Sequence, residues 1–170
     1  YRNNSNEEII LDINNEAEGK EFYNAAGLNI SPDENLLLYG EDLNGRREYT
    51  LRIKNLKNNS LLQDEIVKAS PNAIWSNDSE YIIYAKKDEE TLIQNQIYLH
   101  KLGTNQSEDI LIFEEEDETF SCYAYKSKSM EYIIINSSST LSDEYRLIPA
   151  KDPLKKPEIF QKRERGLEYN

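Results

Sequence analysis

One cysteine, one histidine, one methionine, one tryptophan and six glycines in 170 residues exclude several chemistries before any pattern is sought. A lone thiol, Cys122, forms no internal disulfide and suits a reducing compartment; in FSCYAY it reads as a small buried hydrophobe. Zinc wants several Cys or His ligands, and one of each cannot supply a site. No glycine builds the Gly-x-Ser-x-Gly turn of a hydrolase nucleophile, and no Gly-rich loop precedes a helix to cradle a phosphate. The chain is therefore read as carrying no catalytic residue, no cofactor and no metal. No apolar run approaches the roughly 18–20 residues that cross a bilayer, so no membrane span is expected. Basic stripes are missing too, and a net charge of -12 argues against nucleic acid. No basic-then-apolar leader opens the chain, so a cytoplasmic location is expected; a start on Tyr1 rather than Met reads as a piece of something longer.

What is present is strand. Twelve tyrosines against six glycines suit pleated, half-buried surfaces. Residues 76–115 read as three short strands between polar turns, and the same outline recurs over 31–62 and 127–160. Each copy sets a Ser-rich turn, an apolar run, a polar connection, an alternating run and a last short strand. Aligning Leu36, Tyr81 and Tyr132 gives offsets of 45 and 51 residues; aligning Leu51, Ile97 and Tyr145 gives 46 and 48. A period of roughly 40–50 residues with about four strands is the mark of propeller blades. The fold class expected is all-β: a partial β-propeller of about three four-stranded antiparallel blades.

In chain order, residues 1–19 read as the end of a preceding blade, with an outer strand at 8–13 (EIILDI). Blades follow at 20–66, 67–115 and 116–162, and 163–170 reads as the start of the next. Their strands are expected at 21–31, 35–41, 47–54 and 61–66, then 72–76, 80–86, 96–101 and 109–113, then 119–126, 131–136, 144–149 and 157–162. A helix over 16–26 competes for the first of these, but Gly19 and Gly27 break it. Three blades leave an apolar face open at each end, so self-association through those faces is expected.

Few residues carry a functional signal. His100 in YLHKL alternates away from Leu99 and reads as an exposed or interblade strand residue before a general base. Trp75 ends an inner strand, where it packs at a blade edge or, less simply, stacks on a ligand. Residues 114–118 (EEEDE) are a solvated acidic face or carboxylates for calcium, but they lack the Asp-x-Asn/Asp-x-Asp-Gly loop. Arg46 and Arg47 follow an Asn-Gly turn beside Glu41 and Asp42; Glu41, Arg46 and Arg47 are the candidate interdomain contacts.

Glu21-Phe22-Tyr23, Glu41-Asp42 with Arg46-Arg47-x-Tyr49, Trp75-Ser76-Asn77-Asp78 and Ser142-x-Glu144-x-Arg146-Leu147 occur in an order and spacing that resembles the prolyl oligopeptidase family of serine peptidases, in its oligopeptidase B (protease II) branch. The resemblance implies a cytoplasmic peptidase in which a seven-bladed propeller caps an α/β-hydrolase domain. It further implies cleavage of short peptides after Lys or Arg, with entry limited by size. The Ser-Asp-His triad belongs to the hydrolase domain, which is absent here, so the chain alone should be inactive. Its expected partners are that missing domain and, for the parent, short basic peptides. The alternative function is a β-propeller protein-interaction scaffold, since the fold by itself does not choose.

Overall fold

A computed structural model describes residues 8–88, 90–91 and 93–167. The chain forms twelve antiparallel strands in three consecutive four-stranded meanders. The first unit is β1 (Asn24–Ile30), β2 (Leu36–Asp42), β3 (Tyr49–Asn55) and β4 (Leu61–Ala69). The second is β5 (Ile74–Trp75), β6 (Tyr81–Lys87), β7 (Gln94–Lys101) and β8 (Ile110–Glu114). The third is β9 (Ser121–Lys126), β10 (Tyr132–Ser138), β11 (Asp143–Pro149) and β12 (Glu158–Gln161).

The repeat is visible at atomic level. Leu36, Tyr81 and Tyr132 each open the second strand of a unit. Leu51, Ile97 and Tyr145 each pair with the residue four positions further along that strand: Gly40, Ala85 and Asn136. The turn before each second strand is one device used three times. Ser31 Oγ accepts the Leu36 N–H at 2.9 Å, Ser76 Oγ that of Tyr81 at 2.9 Å, and Ser127 Oγ that of Tyr132 at 3.1 Å. The hydroxyls of Ser31 and Ser76 donate onward to Asp33 and Asp78, and that of Ser127 pairs with Ser129. Bonds from Ser31 and Asn35 hold the Asp33 carboxyl down at about 2. The residue three places after each serine, Glu34, Ser79 or Met130, takes a left-handed φ of 60°, 63° or 60°. Its N–H closes the turn on the serine carbonyl.

Strand alternation then decides how units stack. Ile82 and Tyr84 of β6 face Leu36, Leu38, Leu51, Ile53 and Ile66 of the first unit. Ile83 and Ala85 face Cys122, Ile133, Ile135 and Ile148 of the third. A strand buried on both sides has to be apolar along its length, which is why Tyr81–Lys87 opens YIIYA. Each fully buried Leu or Ile in these seams contributes about 1.5–3 kcal/mol. Gly27 adds a close approach: at φ +68° in the bulge of β1, a Cβ would lie 1.8 Å from the Pro71 carbonyl oxygen, so the β4–β5 connection lies against the inner strand.

Three features differ from the sequence reading. Residues 8–13 form no strand; α1 (Ile13–Ala17) begins there, capped by Asp12, which accepts the N–H groups of Asn14 and Asn15. The first seven residues of the 1–19 segment lie outside the described residues. The first two units also share a rung, Ala69↔Lys86, and the Ser70 N–H donates to Ala85 C=O. With only two residues, β5 leaves that end of β6 uncovered, and the nine-residue β4 reaches across to it. Finally, the outer face of the first unit is closed. Lys54 Nζ donates to Ile10 C=O at 2.9 Å, α1 packs on β1, and Leu37 and Tyr39 are 0% and 1% exposed. The far face of the third unit stays open, with Tyr123, Tyr125 and Tyr132 exposed by 45%, 41% and 42%.

Candidate functional site

His100 sits in the seam between the first two units with none of its surface exposed. Its Nδ1 lies 2.6 Å from Asp109 and its Nε2 3.1 Å from Asp64, which comes from β4 of the first unit. With a carboxylate facing each ring nitrogen, the geometry suits an imidazolium that donates to both. Burial alone would depress its pKa, but the bonds to Asp109 and Asp64 outweigh burial and raise it. Asp64 also accepts the Gly103 N–H at 2.5 Å, and Asp109 the Tyr84 hydroxyl at 2.7 Å. The ring has no free nitrogen with which to take a proton from a nucleophile, so His100 is an interblade clamp.

Trp75 is likewise in this seam, buried, with its indole N–H donating to Asn29 C=O at 3.1 Å. Its own ring, 2% exposed, offers no face to a ligand. Cys122 is buried between the second and third units, and burial, followed by the nearby Glu115, pushes its thiol up to about 12. It is inert at neutral pH.

The acidic run is divided by the fold. Glu115 is buried and holds Arg163 at 2.6 Å, and the same guanidinium reaches Glu144 at 3.3 Å and stacks 4.0 Å from the Phe120 ring centre. Arg146 pairs with Glu144 at 2.5 Å and lies over Phe113. Glu114 accepts from Gln96, while Glu116 and Glu118 line a cleft of about 260 Å³ with Glu90. Among the described residues no group of three His, Cys, Asp or Glu is placed to hold a metal ion.

Of the three candidate contacts, Glu41 is buried and bonded to Arg52 at 2.9 Å, in an ion pair extended by Glu65 at 2.7 Å. Arg46 and Arg47 are exposed in the β2–β3 turn that begins just beyond it. Asp42 builds their turn: 1% exposed, it accepts the N–H groups of Asn44 (3.0 Å), Gly45 (2.9 Å) and Arg47 (2.8 Å). Burial would raise the Asp42 carboxyl, but these backbone donors hold it below its ordinary value. Asp42 is thereby bonded to the turn backbone, and among the described residues no carboxylate pairs with the side chains of Arg46 or Arg47. With Lys68, Lys87, Glu48 and Asp88 they line a cleft of about 350 Å³ at the rim of the first seam. Sequence reasoning found the two arginines but not the lysines, which arrive from β4 and β6.

The family model described as prolyl oligopeptidase, N-terminal beta-propeller domain, matches residues 1–170. The chain is 41% identical over 163 residues to dipeptidyl aminopeptidase BI of Pseudoxanthomonas mexicana, covering 96% of this chain and 22% of that protein. It is 32% identical over 166 residues to protease 2 of Moraxella lacunata, covering 96% and 24%. Among solved structures, oligopeptidase B from Leishmania major superposes with a TM-score of 0.91 at 29% identity, over 96% of this chain and 23% of that one. The chain thus spans less than a quarter of the length of each of these relatives.

Proposed function

Because the chain belongs to the prolyl oligopeptidase family, as part of its N-terminal β-propeller domain, we propose that it is the access-limiting, non-catalytic sector of a serine oligopeptidase that cleaves short peptides after Lys or Arg. The observation that carries this reading is the state of His100. It is the chain's one histidine, and it is locked between two buried carboxylates, so the catalytic base must come from elsewhere in the full-length enzyme.

The blade assignment proposed is 20–66, 67–115 and 116–162, three consecutive members of a seven-bladed ring that caps a hydrolase domain in the cytoplasm. Among the described residues no helix is long and apolar enough to cross a membrane. The open face of Tyr123, Tyr125 and Tyr132 is where the next blade of the ring would pack, and in the isolated chain it is the surface for self-association. Arg46 and Arg47 stand at the rim for interdomain contact, with Glu41 bracing the hairpin through Arg52. Such a sector contributes by excluding bulk water and large substrates rather than by chemistry.

The test is an activity comparison. The full-length protein should hydrolyse short chromogenic peptides with Lys or Arg before the scissile bond and be silenced by a serine-directed organophosphonate. The 170-residue chain should give no turnover with the same peptides. Hydrolysis by the chain alone, or a full-length enzyme indifferent to Lys and Arg, would refute the reading.

A further inference from the structure

We propose that the cleft at the rim of the first seam is a docking site for a short, extended, carboxylate-rich peptide segment. This deepens the interdomain role given to Arg46 and Arg47 by naming the chemistry of the occupant. It stands on charge and shape, so it holds or fails independently of the peptidase activity.

The cations here are out of keeping with the rest of the molecule. In a chain of net charge -12, Arg52, Arg146 and Arg163 each hold at least one carboxylate. Among the described residues, no carboxylate pairs with the side chains of Arg46, Arg47 or Lys87, yet these converge with Lys68 on one cleft of about 350 Å³. The two acids at its edge, Glu48 and Asp88, offset part of that charge and leave the lining net positive. Glu48 is exposed, and Asp88 is engaged in its own turn, accepting the Thr91 N–H at 2.8 Å, the Glu90 N–H at 3.0 Å and the Thr91 hydroxyl. Cations such as Arg46, Arg47 and Lys87, gathered in a predominantly acidic surface, attract and orient an anionic partner.

The backbone says which anion. A compact phosphate is usually cradled by free N–H groups, but those of this turn are occupied. Asn44, Gly45 and Arg47 give theirs to Asp42, and Arg46 gives its own to the Asn44 side chain at 2.9 Å. What remains is side-chain charge presented from two elements: Arg46 and Arg47 in the β2–β3 turn and Lys87 at the end of β6. That spread suits successive carboxylates along an extended segment. A long polyanion such as nucleic acid would meet the surrounding negative surface beyond the cleft. Because the turn is fixed by buried Asp42, the arginines lose little backbone freedom on binding.

The experiment is fluorescence anisotropy of labelled hexaglutamate titrated with the 170-residue chain. We expect saturable one-to-one binding that weakens several-fold as salt rises from about 0.05 to about 0.3 M. Arg46→Glu with Arg47→Glu should weaken it by roughly tenfold or more. Lys87→Glu, on a different element, should weaken it as well, and Lys128→Glu, in an exposed turn at the other end of the sheets, should not. Circular dichroism of each variant keeps loss of binding apart from loss of fold. The proposal is overturned if hexaglutamate binds no better than hexalysine, or if the paired reversal leaves binding unchanged. Pyrophosphate binding more tightly than hexaglutamate would overturn it in favour of a phosphate site. A dimer that dissociates on the Arg46 and Arg47 reversals would overturn it in favour of a second copy.

Discussion

Replacing His100 with leucine should lower the unfolding free energy by about 3–5 kcal/mol near pH 6, the usual cost of removing one partner from a buried charge network. Leucine fills much of the space but strands two carboxylates in the seam. Asp64 keeps only the Gly103 N–H and Asp109 only the Tyr84 hydroxyl. The pH dependence follows from the direction of the His100 shift. Its folded-state pKa is raised above the ordinary 6.5, so its contribution is fully present below that value and is lost as pH climbs through the raised one. The gap between parent and His100→Leu should therefore be widest in mild acid and narrow on the alkaline side. The facing groups are Asp64 from β4 and Asp109 before β8, with the Tyr84 hydroxyl behind. Urea melts of both proteins across pH measure this. A gap that widens with rising pH would mean that the ring is neutral in the folded protein.

Trp75→Ala should be comparably severe, at about 3–5 kcal/mol, since it empties the largest side chain from the seam between the first two units. Two contributions are separable. Trp75→Phe keeps most of the packing and loses only the indole bond to Asn29, which should cost about 1 kcal/mol beyond the smaller ring volume. The position also reports on itself. Trp75 is the chain's one tryptophan, so the native protein should show the blue-shifted emission of a buried indole and move to the red in one step on unfolding. The alanine variant is followed by circular dichroism. A melt unchanged by Trp75→Ala would show that the seam is not packed around this residue.

These two residues mark what a sequence discloses about such a fold. The equivalence of Leu36, Tyr81 and Tyr132 was legible because period-2 alternation and a Ser-opened turn leave a local signature. Trp75 was legible as a packing residue, since its apolar neighbours mark the end of an inner strand. The role of His100 was not: its partners lie 9 and 36 positions away, and nothing near YLHKL distinguishes a clamped imidazolium from an exposed ring. The rim cleft was half-legible. Arg46 and Arg47 announce themselves after Asn-Gly, but Lys68 and Lys87 join them only because β4 crosses to β6. The segment at 8–13 misled because EIILDI alternates like a strand. No described strand pairs with it, and Asp12 instead starts a helix that packs on β1.

The most direct test of an access-limiting sector is a substrate-length series on the full-length enzyme, with the same Lys or Arg cleavage site placed in peptides of about 10 residues and in unfolded chains of about 100. The account predicts that kcat/KM falls by roughly a hundredfold or more between the two. It is contradicted if the long chains are cut as fast as the short ones.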